Sequence, residues 1–155
     1  NTEFDLNEML RKVSKIISLE AKNNETEFEL NVENDVPSFI FGDPTRIRQV
    51  LINLLGNSVK YTNNGKISLT IKTLYNYTNA ITLGFIIKDT GLGMSSDQVQ
   101  DILSSSTEIV EDGTVGLGLS VTKQLIQMMN GEIKIYSTED LGTTFTFTLK
   151  FKVTR

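Results

Sequence analysis

Four polar residues recur at intervals of three or four along a stretch between Asp43 and Thr62 that is otherwise rich in Ile, Leu and Val. At about 100° per residue they share an arc of about 80° on a helix, and apolar residues occupy most of the remaining surface. Such a helix is buried, and its polar stripe faces something other than the apolar core. Asn is a poor helix former, so two Asn residues one turn apart suit ligand contact better than helix stability. The polar stripe consists of Gln49, Asn53, Asn57 and Lys60.

Two glycine-rich segments follow this predicted helix. Asp89-Thr90-Gly91-Leu92-Gly93 begins about thirty residues after Asn57, and Gly116-Leu117-Gly118-Leu119 lies further on. Each feature alone has a structural explanation, since Asp and Gly favour turns, glycines can simply begin a helix, and buried Asn side chains can satisfy backbone groups. A helix start also exposes N–H groups and a positive dipole end that suit phosphate. The order and spacing of all three features therefore predict a nucleotide site.

The composition is typical of a soluble globular chain and excludes several kinds of chemistry. With 155 residues, 39% hydrophobic and 22% charged, the chain has the size of a single domain, 1–155, with a sizeable core. A net charge of -4 gives no basic patch for nucleic acid. Cys and His are absent, which excludes disulfides, thiolate or imidazole metal ligands and Ser-His catalysis.

The sequence also carries no membrane or export signal. No apolar run approaches the roughly 20 residues that span a bilayer, and no signal peptide pattern is present. We therefore expect a cytoplasmic segment without direct membrane insertion, although its parent protein can be membrane-anchored.

Hydrophobic periodicity predicts helices and strands in a mixed order. An amphipathic helix is expected from Phe4 to about residue 21, with Asp5 or Asn7 as its N-cap. A short helix at 95–103 precedes a polar segment that resembles a mobile loop, and a last helix is expected to end at Asn130-Gly131. The predicted strands are 27–32, 38–41, one beginning at 67, 81–87, one beginning at 133, and 144–153. This pattern favours an α+β fold, a two-layer sandwich with a mixed, mostly antiparallel sheet of about five strands and about three helices on one face.

The polar helix and the glycine segments together resemble the catalytic ATP-binding domain of sensor histidine kinases, within the wider gyrase, Hsp90, histidine kinase and MutL fold. The stretch 42–62 is similar to the family's N box, which is a specific signature, and the resemblance covers almost the whole chain. Asp89 to Gly93 resembles the first glycine box, Gly116 to Leu119 the second, and Gly142-Thr143-Thr144-Phe145 the last. The resemblance implies a Bergerat-type ATP-binding fold with an ATP lid at about residues 104–115.

The resemblance also implies a role for each motif residue. Asn57 would bind Mg²⁺ through its amide oxygen, a hard ligand that suits a hard cation. Asp89 would accept a hydrogen bond from the adenine amino group, and Thr143 would assist through a water. The glycines of the first box would let the backbone approach the base. The implied adenine contacts are Tyr61, Asp89, Gly91, Gly93 and Thr143, and the implied phosphate contacts are Asn53, Lys60, Gly116, Leu117 and Gly118.

The residue at position 53 distinguishes this chain from the hydrolysing members of the fold. Gyrase-like ATPases carry a Glu at the matching position, which activates water, whereas the amide of Asn53 cannot take a proton in that way. The resemblance therefore implies transfer of the γ-phosphate of ATP to a histidine on a dimerisation domain of the parent protein, which feeds a receiver domain or response regulator. Since this chain has no histidine, it cannot phosphorylate itself.

Two segments depart from the family pattern. Residues 102–107 replace a phenylalanine-bearing segment, and Thr114-Val115 replaces a pair of small residues, so that a β-branched Val stiffens the lid. An alternative function is therefore a nucleotide-binding regulatory module with weak or no kinase activity. A further alternative is an ATPase of the gyrase or Hsp90 kind, which Asn53 argues against.

Overall fold

The computed structural model describes residues 1–93, 97 and 116–154. The predicted short helix at 95–103, apart from Asp97, and the predicted lid at 104–115 lie outside the described residues. The described part contains three helices and seven strands, which confirms the predicted α+β class. The helices are α1 (Leu6–Asn23), α2 (Pro44–Lys60) and α3 (Gly116–Met128), and the strands are β1 (Thr2–Asp5), β2 (Glu27–Val32), β3 (Phe39–Gly42), β4 (Lys66–Asn76), β5 (Ala80–Asp89), β6 (Glu132–Thr138) and β7 (Gly142–Lys152).

Local sequence signals fix both ends of α2, the helix that carries the polar stripe. The Asp43 side chain accepts a hydrogen bond from the Arg46 N–H at 3.3 Å, which satisfies one of the first helical donors. Pro44 lies in the first turn, where its missing N–H has no helical partner to lose. Lys60 ends the helix and places a positive charge at the negative end of its dipole. The helix predicted at 43–62 is therefore confirmed to within two residues.

A strand that the sequence pattern did not predict precedes α1. Residues 2–5 form β1, which pairs antiparallel with β3, so α1 begins at Leu6 rather than at Phe4 as expected. Asp5 is the N-cap, and its carboxylate accepts a hydrogen bond from the Glu8 N–H at 3.1 Å. Four residues show too little alternation to predict a strand, because β1 is defined by its pairing with a segment more than thirty positions away.

The sheet is mixed and mostly antiparallel, as predicted. Its strands follow the order β1-β3-β7-β5-β4-β2, with β6 also paired to β7. The pair of β2 and β4 is parallel, and the other described pairs are antiparallel. Seven described strands exceed the expected number of about five, and β1 is one of the additional strands.

One face of the sheet is buried beneath the helices. Alternate residues of the three central strands are at most 4% exposed, whereas most residues between them are partly or fully exposed. Phe85 and Phe147 stack at the centre of this face with ring centroids 4.6 Å apart, and α2 packs against both α1 and α3. The buried residues are Ile67, Leu69 and Ile71 of β4, Ile81, Leu83, Phe85 and Ile87 of β5, and Phe145, Phe147, Leu149 and Phe151 of β7.

Strand register brings polar residues together at one end of the sheet. Asp89, the last residue of β5, lies opposite Thr143 of β7. Thr143 in turn lies opposite Ser137 of β6. Three strands therefore place three polar residues in one row, directly beside the first glycine segment.

A hydrogen-bond cluster joins the end of α1 to the end of α2. The Asn24 side chain donates to the Val59 carbonyl at 2.8 Å. The Thr26 hydroxyl donates to the Thr62 carbonyl at 3.2 Å and accepts from the Gly65 N–H at 3.4 Å. Carbonyls at the end of a helix lack partners within it, so these side chains satisfy groups that α2 leaves open and fix the residues that follow it.

We expect Asn24→Ala to lower the free energy of unfolding by about 1 to 3 kcal/mol, because the Val59 carbonyl loses its side-chain donor in a partly buried site. Asn23→Ala is the matched control, since Asn23 is adjacent and exposed, and it should change stability by less than about 0.5 kcal/mol. Urea unfolding followed by circular dichroism measures both variants. Equal losses would show that the bond to Val59 does not stabilise the end of α2.

Candidate nucleotide site

The end of α2, the loop after β5 and the turn between β6 and β7 meet at one edge of the domain. The Leu92 N–H donates to the Tyr61 carbonyl at 3.2 Å, and the Asp140 N–H donates to the Leu92 carbonyl at 2.6 Å. The first glycine segment is therefore attached on both sides by backbone hydrogen bonds. Predicted adenine residues from three separate stretches of sequence, at 61, 89–93 and 143, come together here.

Asp89 lies buried at the centre of this edge, with 6% of its surface exposed. Its Oδ1 accepts hydrogen bonds from the Gly91 N–H at 2.9 Å and from the Thr143 N–H at 3.2 Å. Burial raises the pKa of the Asp89 carboxyl, and these two backbone donors oppose that rise. The carboxylate is thus costly to keep charged but is fixed in orientation.

The second oxygen of Asp89 is differently placed. No described residue donates a hydrogen bond to Oδ2, whereas Oδ1 already has two backbone donors. A charged, oriented oxygen without a donor within the described part of the chain can accept a hydrogen bond from a ligand. This geometry is what recognition of an amino group requires.

Thr143 belongs to the same cluster, through both its backbone and its side chain. Its N–H bonds Asp89, and its Oγ1 lies 2.8 Å from Ser137 Oγ. The Ser137 hydroxyl also lies 3.2 Å from the Gly142 carbonyl. Sequence analysis did not identify Ser137, because only the register of β6 on β7 places it beside Thr143.

The glycines of the first segment are required by nearby backbone. A Cβ at position 91 would strike the Tyr61 carbonyl oxygen and lie 2.8 Å from Thr62 Oγ1. Gly93 has a φ of +70°, and a Cβ there would strike the Thr138 carbonyl. Protein packing therefore already explains both glycines, and their expected contact with a base stays a prediction.

The polar stripe of α2 lies outside the core, as its spacing predicts. Asn53 and Asn57 are half-buried, while Gln49 and Lys60 are exposed. The residues on the opposite side of the helix are fully buried, so α2 cannot rotate to hide the stripe without exposing the core. The residues that fix it are Ile47, Val50, Leu51, Leu54 and Leu55.

Lys60 and Tyr61 form the end of the stripe that is nearest to Asp89 in sequence and in hydrogen bonding. The Lys60 Nζ lies 5.4 Å from the centroid of the Tyr61 ring, within the range of a cation–π contact. Tyr61 is half-buried, and its carbonyl bonds the glycine loop as described above. The ring is therefore positioned next to the loop that carries Asp89.

The second glycine segment begins α3. Gly116, Leu117 and Gly118 form its first turn, and Leu119 and Ser120 behind them are buried. The first turn of a helix carries N–H groups without helical partners, which agrees with the predicted phosphate contacts. The segment that precedes Gly116 lies outside the described residues.

Metal binding in this region would depend on more than protein ligands. Within 1–93, 97 and 116–154, no group of three or more His, Cys, Asp or Glu residues could hold a metal ion. The predicted Mg²⁺ ligand, Asn57, offers one amide oxygen. A divalent cation there would need its remaining ligands from a bound anion and water.

A separate cavity of about 610 Å³ lies at the opposite end of α2. Its lining includes Asp43 and Arg46 from the first turn of the helix and Met128 near the end of α3, but none of the predicted nucleotide residues. Arg46 is already paired with Asp43 at 3.4 Å. The Asp89 edge therefore remains the better candidate, because it combines an open carboxylate oxygen with oriented backbone. In the described part of the chain, no helix has the length and apolar character needed to cross a bilayer.

The raised pKa of Asp89 predicts a dependence of stability on pH. A carboxyl whose pKa is higher in the folded chain stabilises fully below its unfolded pKa, and that contribution is lost as the pH rises through the folded pKa. We therefore expect Asp89→Asn, without nucleotide, to melt at a higher temperature than the original chain at pH 7, with the difference shrinking towards pH 4.

Thermal unfolding at both pH values measures this effect, and Asp35→Asn, at an exposed turn position, is the control. A lower melting temperature for Asp89→Asn at pH 7 would mean that the hydrogen bonds to the charged form outweigh its burial.

One protein family matches most of this chain. The family is that of histidine kinase-, DNA gyrase B- and HSP90-like ATPases, and the match covers residues 42–153. Similar curated proteins are signalling kinases much longer than this chain. Hybrid signal transduction protein dokA of Dictyostelium discoideum is 34% identical over 99% of this chain and 10% of its own length. Signal transduction histidine-protein kinase BarA of Escherichia coli K12 is 32% identical over 93% of this chain and 16% of its own length.

Solved structures share the fold. Full-length ShkA in complex with AMPPNP superposes with a TM-score of 0.82 at 28% identity, over 99% of this chain and 31% of that one. The catalytic domain of the histidine kinase ThkA gives a TM-score of 0.77 at 29% identity, over 96% of this chain and 93% of that one. The predicted resemblance to histidine kinase catalytic domains is thus confirmed, and the chain belongs to the histidine kinase-, DNA gyrase B- and HSP90-like ATPase family.

Proposed function

We propose that this chain binds Mg-ATP and donates the γ-phosphate to a histidine on a separate dimerisation domain, as the catalytic module of two-component signal transduction. The observation that carries the proposal is the buried Asp89 carboxylate, with Oδ1 bonded by two backbone donors and Oδ2 by none among the described residues. Membership of the family supports ATP as the ligand.

Adenine recognition follows from the chemistry of Asp89. Oδ2 accepts a hydrogen bond from the adenine amino group, whereas guanine presents a carbonyl oxygen at that position and would oppose acceptor to acceptor. Tyr61 packs against the base beside Gly91 and Gly93. Thr143, fixed by its contacts with Asp89 and Ser137, assists through a water.

The phosphates lie along the polar stripe of α2. At 1.5 Å per residue, Asn53 is about 12 Å from Tyr61 along the helix axis, a length that suits the ribose and phosphates of an extended nucleotide. Lys60 supplies positive charge, and the start of α3, Gly116 to Gly118, supplies N–H groups. Asn57 donates one hard oxygen to Mg²⁺, which neutralises charge on the triphosphate.

The transfer step needs an acceptor from outside the chain. A ring nitrogen of the acceptor histidine attacks the γ-phosphorus, the bond from that phosphorus to the β–γ bridging oxygen breaks, and ADP leaves. This chain orients the nucleotide and stabilises its charge. Hydrolysis is disfavoured because Asn53 cannot activate water as a Glu would, and the chain contains no histidine of its own.

We expect the chain to phosphorylate the histidine-bearing dimerisation domain of its parent protein in trans. Radiolabelled Mg-ATP, the chain and that domain are mixed, and acid-labile phosphohistidine is measured. The control omits the dimerisation domain and should show neither a labelled protein nor steady release of phosphate. ATP binding without phosphohistidine would instead support the regulatory module, and steady phosphate release by the chain alone would support an ATPase.

We expect Asn57→Asp to change the metal dependence of ATP binding. Without Mg²⁺ the new carboxylate repels the triphosphate, so affinity should fall at least about tenfold, whereas with Mg²⁺ the carboxylate meets the cation and the loss should be smaller. Calorimetry with ATP in Mg²⁺ and in EDTA measures the difference. Adenosine, which lacks phosphates, is the control ligand and should bind both proteins equally. Equal losses of ATP affinity under both conditions would contradict the metal role.

A further inference from the structure

Two buried hydroxyls near Asp89 lack partners. Ser58 is 1% exposed and Thr62 is 0% exposed, and neither Ser58 Oγ nor Thr62 Oγ1 has a hydrogen-bond partner among the described residues. A buried hydroxyl without a partner costs free energy, so a native structure that keeps one is expected to satisfy it with a water or a ligand. The two residues are four positions apart at the end of α2.

Both hydroxyls lie beside the carboxylate of Asp89. A Cβ built on Gly91 would lie 2.8 Å from Thr62 Oγ1 and 3.0 Å from Asp89 Oδ1, so these atoms border the same small space. The Ser58 hydroxyl is close enough to Asp89 to lower the pKa of its carboxyl, although it makes no bond of normal geometry with any described residue. The space exists because residue 91 has no side chain.

The neighbouring protein groups do not satisfy these hydroxyls. The Thr26 hydroxyl, which lies near the end of α2, already contacts the Thr62 carbonyl and the Gly65 N–H. A helical Ser often bonds the carbonyl four residues earlier, but Ser58 does not do so. Two hydroxyls and a carboxylate around a small space provide the two to four polar partners that an ordered water needs.

We propose that Ser58 and Thr62 are specificity residues of the nucleotide site, whose hydroxyls bind an ordered water beside Asp89 that contacts the edge of the base. The inference rests on the proposed assignment of Asp89 to adenine. Asp89 accepts one proton of the water, and the other proton points to the acceptor nitrogen that adenine carries next to its amino group. Guanine carries an N–H at that position, so the same water opposes it.

Removal of the hydroxyls tests the assignment. Ser58→Ala and Thr62→Val delete one hydroxyl each, and Thr73→Val is the matched control, because Thr73 Oγ1 is also buried without a partner but lies at the far end of β4. Dissociation constants for Mg-ATP and Mg-GTP are measured by calorimetry, and the melting temperature is measured without nucleotide.

We expect Ser58→Ala and Thr62→Val each to weaken ATP binding by about fivefold to thirtyfold and to lower the preference for ATP over GTP, with no loss of melting temperature. Thr73→Val should leave affinity and preference unchanged. Thr62→Ser keeps the hydroxyl and removes the methyl group that packs near Gly65, so it should retain ATP affinity.

Several outcomes would overturn the inference. Unchanged ATP affinity and base preference in both deletion variants would do so, as would an equal loss in Thr62→Ser and Thr62→Val, which would assign the effect to packing. If Ser58→Ala lowers the melting temperature, Thr62→Val with its Thr62→Ser rescue decides the question. Failure of the original chain to bind ATP would overturn the proposed function and this inference together, whereas normal binding that is insensitive to both hydroxyls would overturn the inference alone.

Discussion

Burial of a carboxylate at the end of a central strand disfavours its charged form, and much of the surrounding structure offsets that cost. The register of β5 on β7 must direct the Thr143 N–H at Asp89. The chain must then turn so that the Gly91 N–H points back to the same oxygen. A shift of β5 by one residue would turn Asp89 to the opposite face of the sheet, and both donors would be lost. The proposed adenine pocket therefore depends on strand register as much as on any side chain.

Helix α2 connects this carboxylate to the rest of the domain. Its apolar side packs into the core, its polar stripe remains accessible, and its last residues bond the glycine loop through the Tyr61 carbonyl. Asn24 and Thr26 from the end of α1 fix the same region. The positions of Asn53, Asn57 and Lys60 are thus set by core packing, which is close-packed and resists rotation of the helix.

Periodicity and capping chemistry predicted the parts that depend on local sequence. The spacing of Asn53, Asn57 and Lys60 predicted both α2 and the direction of its stripe, and Asp5 and Asp43 were recognisable as acidic helix starts. The pairing of β1 with β3 was not predictable from four residues.

Cross-strand neighbours and buried turns were also beyond prediction from sequence. Ser137 lies beside Thr143 only because of a register that no local pattern encodes. Gly91 and Gly93 were expected to make room for a base, and the structure adds carbonyls of Tyr61 and Thr138 in the directions of the missing side chains. Ser58 and Thr62 lie away from the polar stripe, so their relation to Asp89 depends on how α2 packs on β5.

The attachment of β3 to the sheet has a mechanical consequence. β3 joins β7 through the single pair of Phe41 with Lys152, whereas β5 follows β7 over ten consecutive pairs ending at Asp89 and Thr143. Tension applied along β1 would act first on that one pair and peel the ribbon of β1 and β3 from the sheet. The ladder at Asp89 would bear little of the load, so the proposed nucleotide pocket is insulated from force that enters through the first strand.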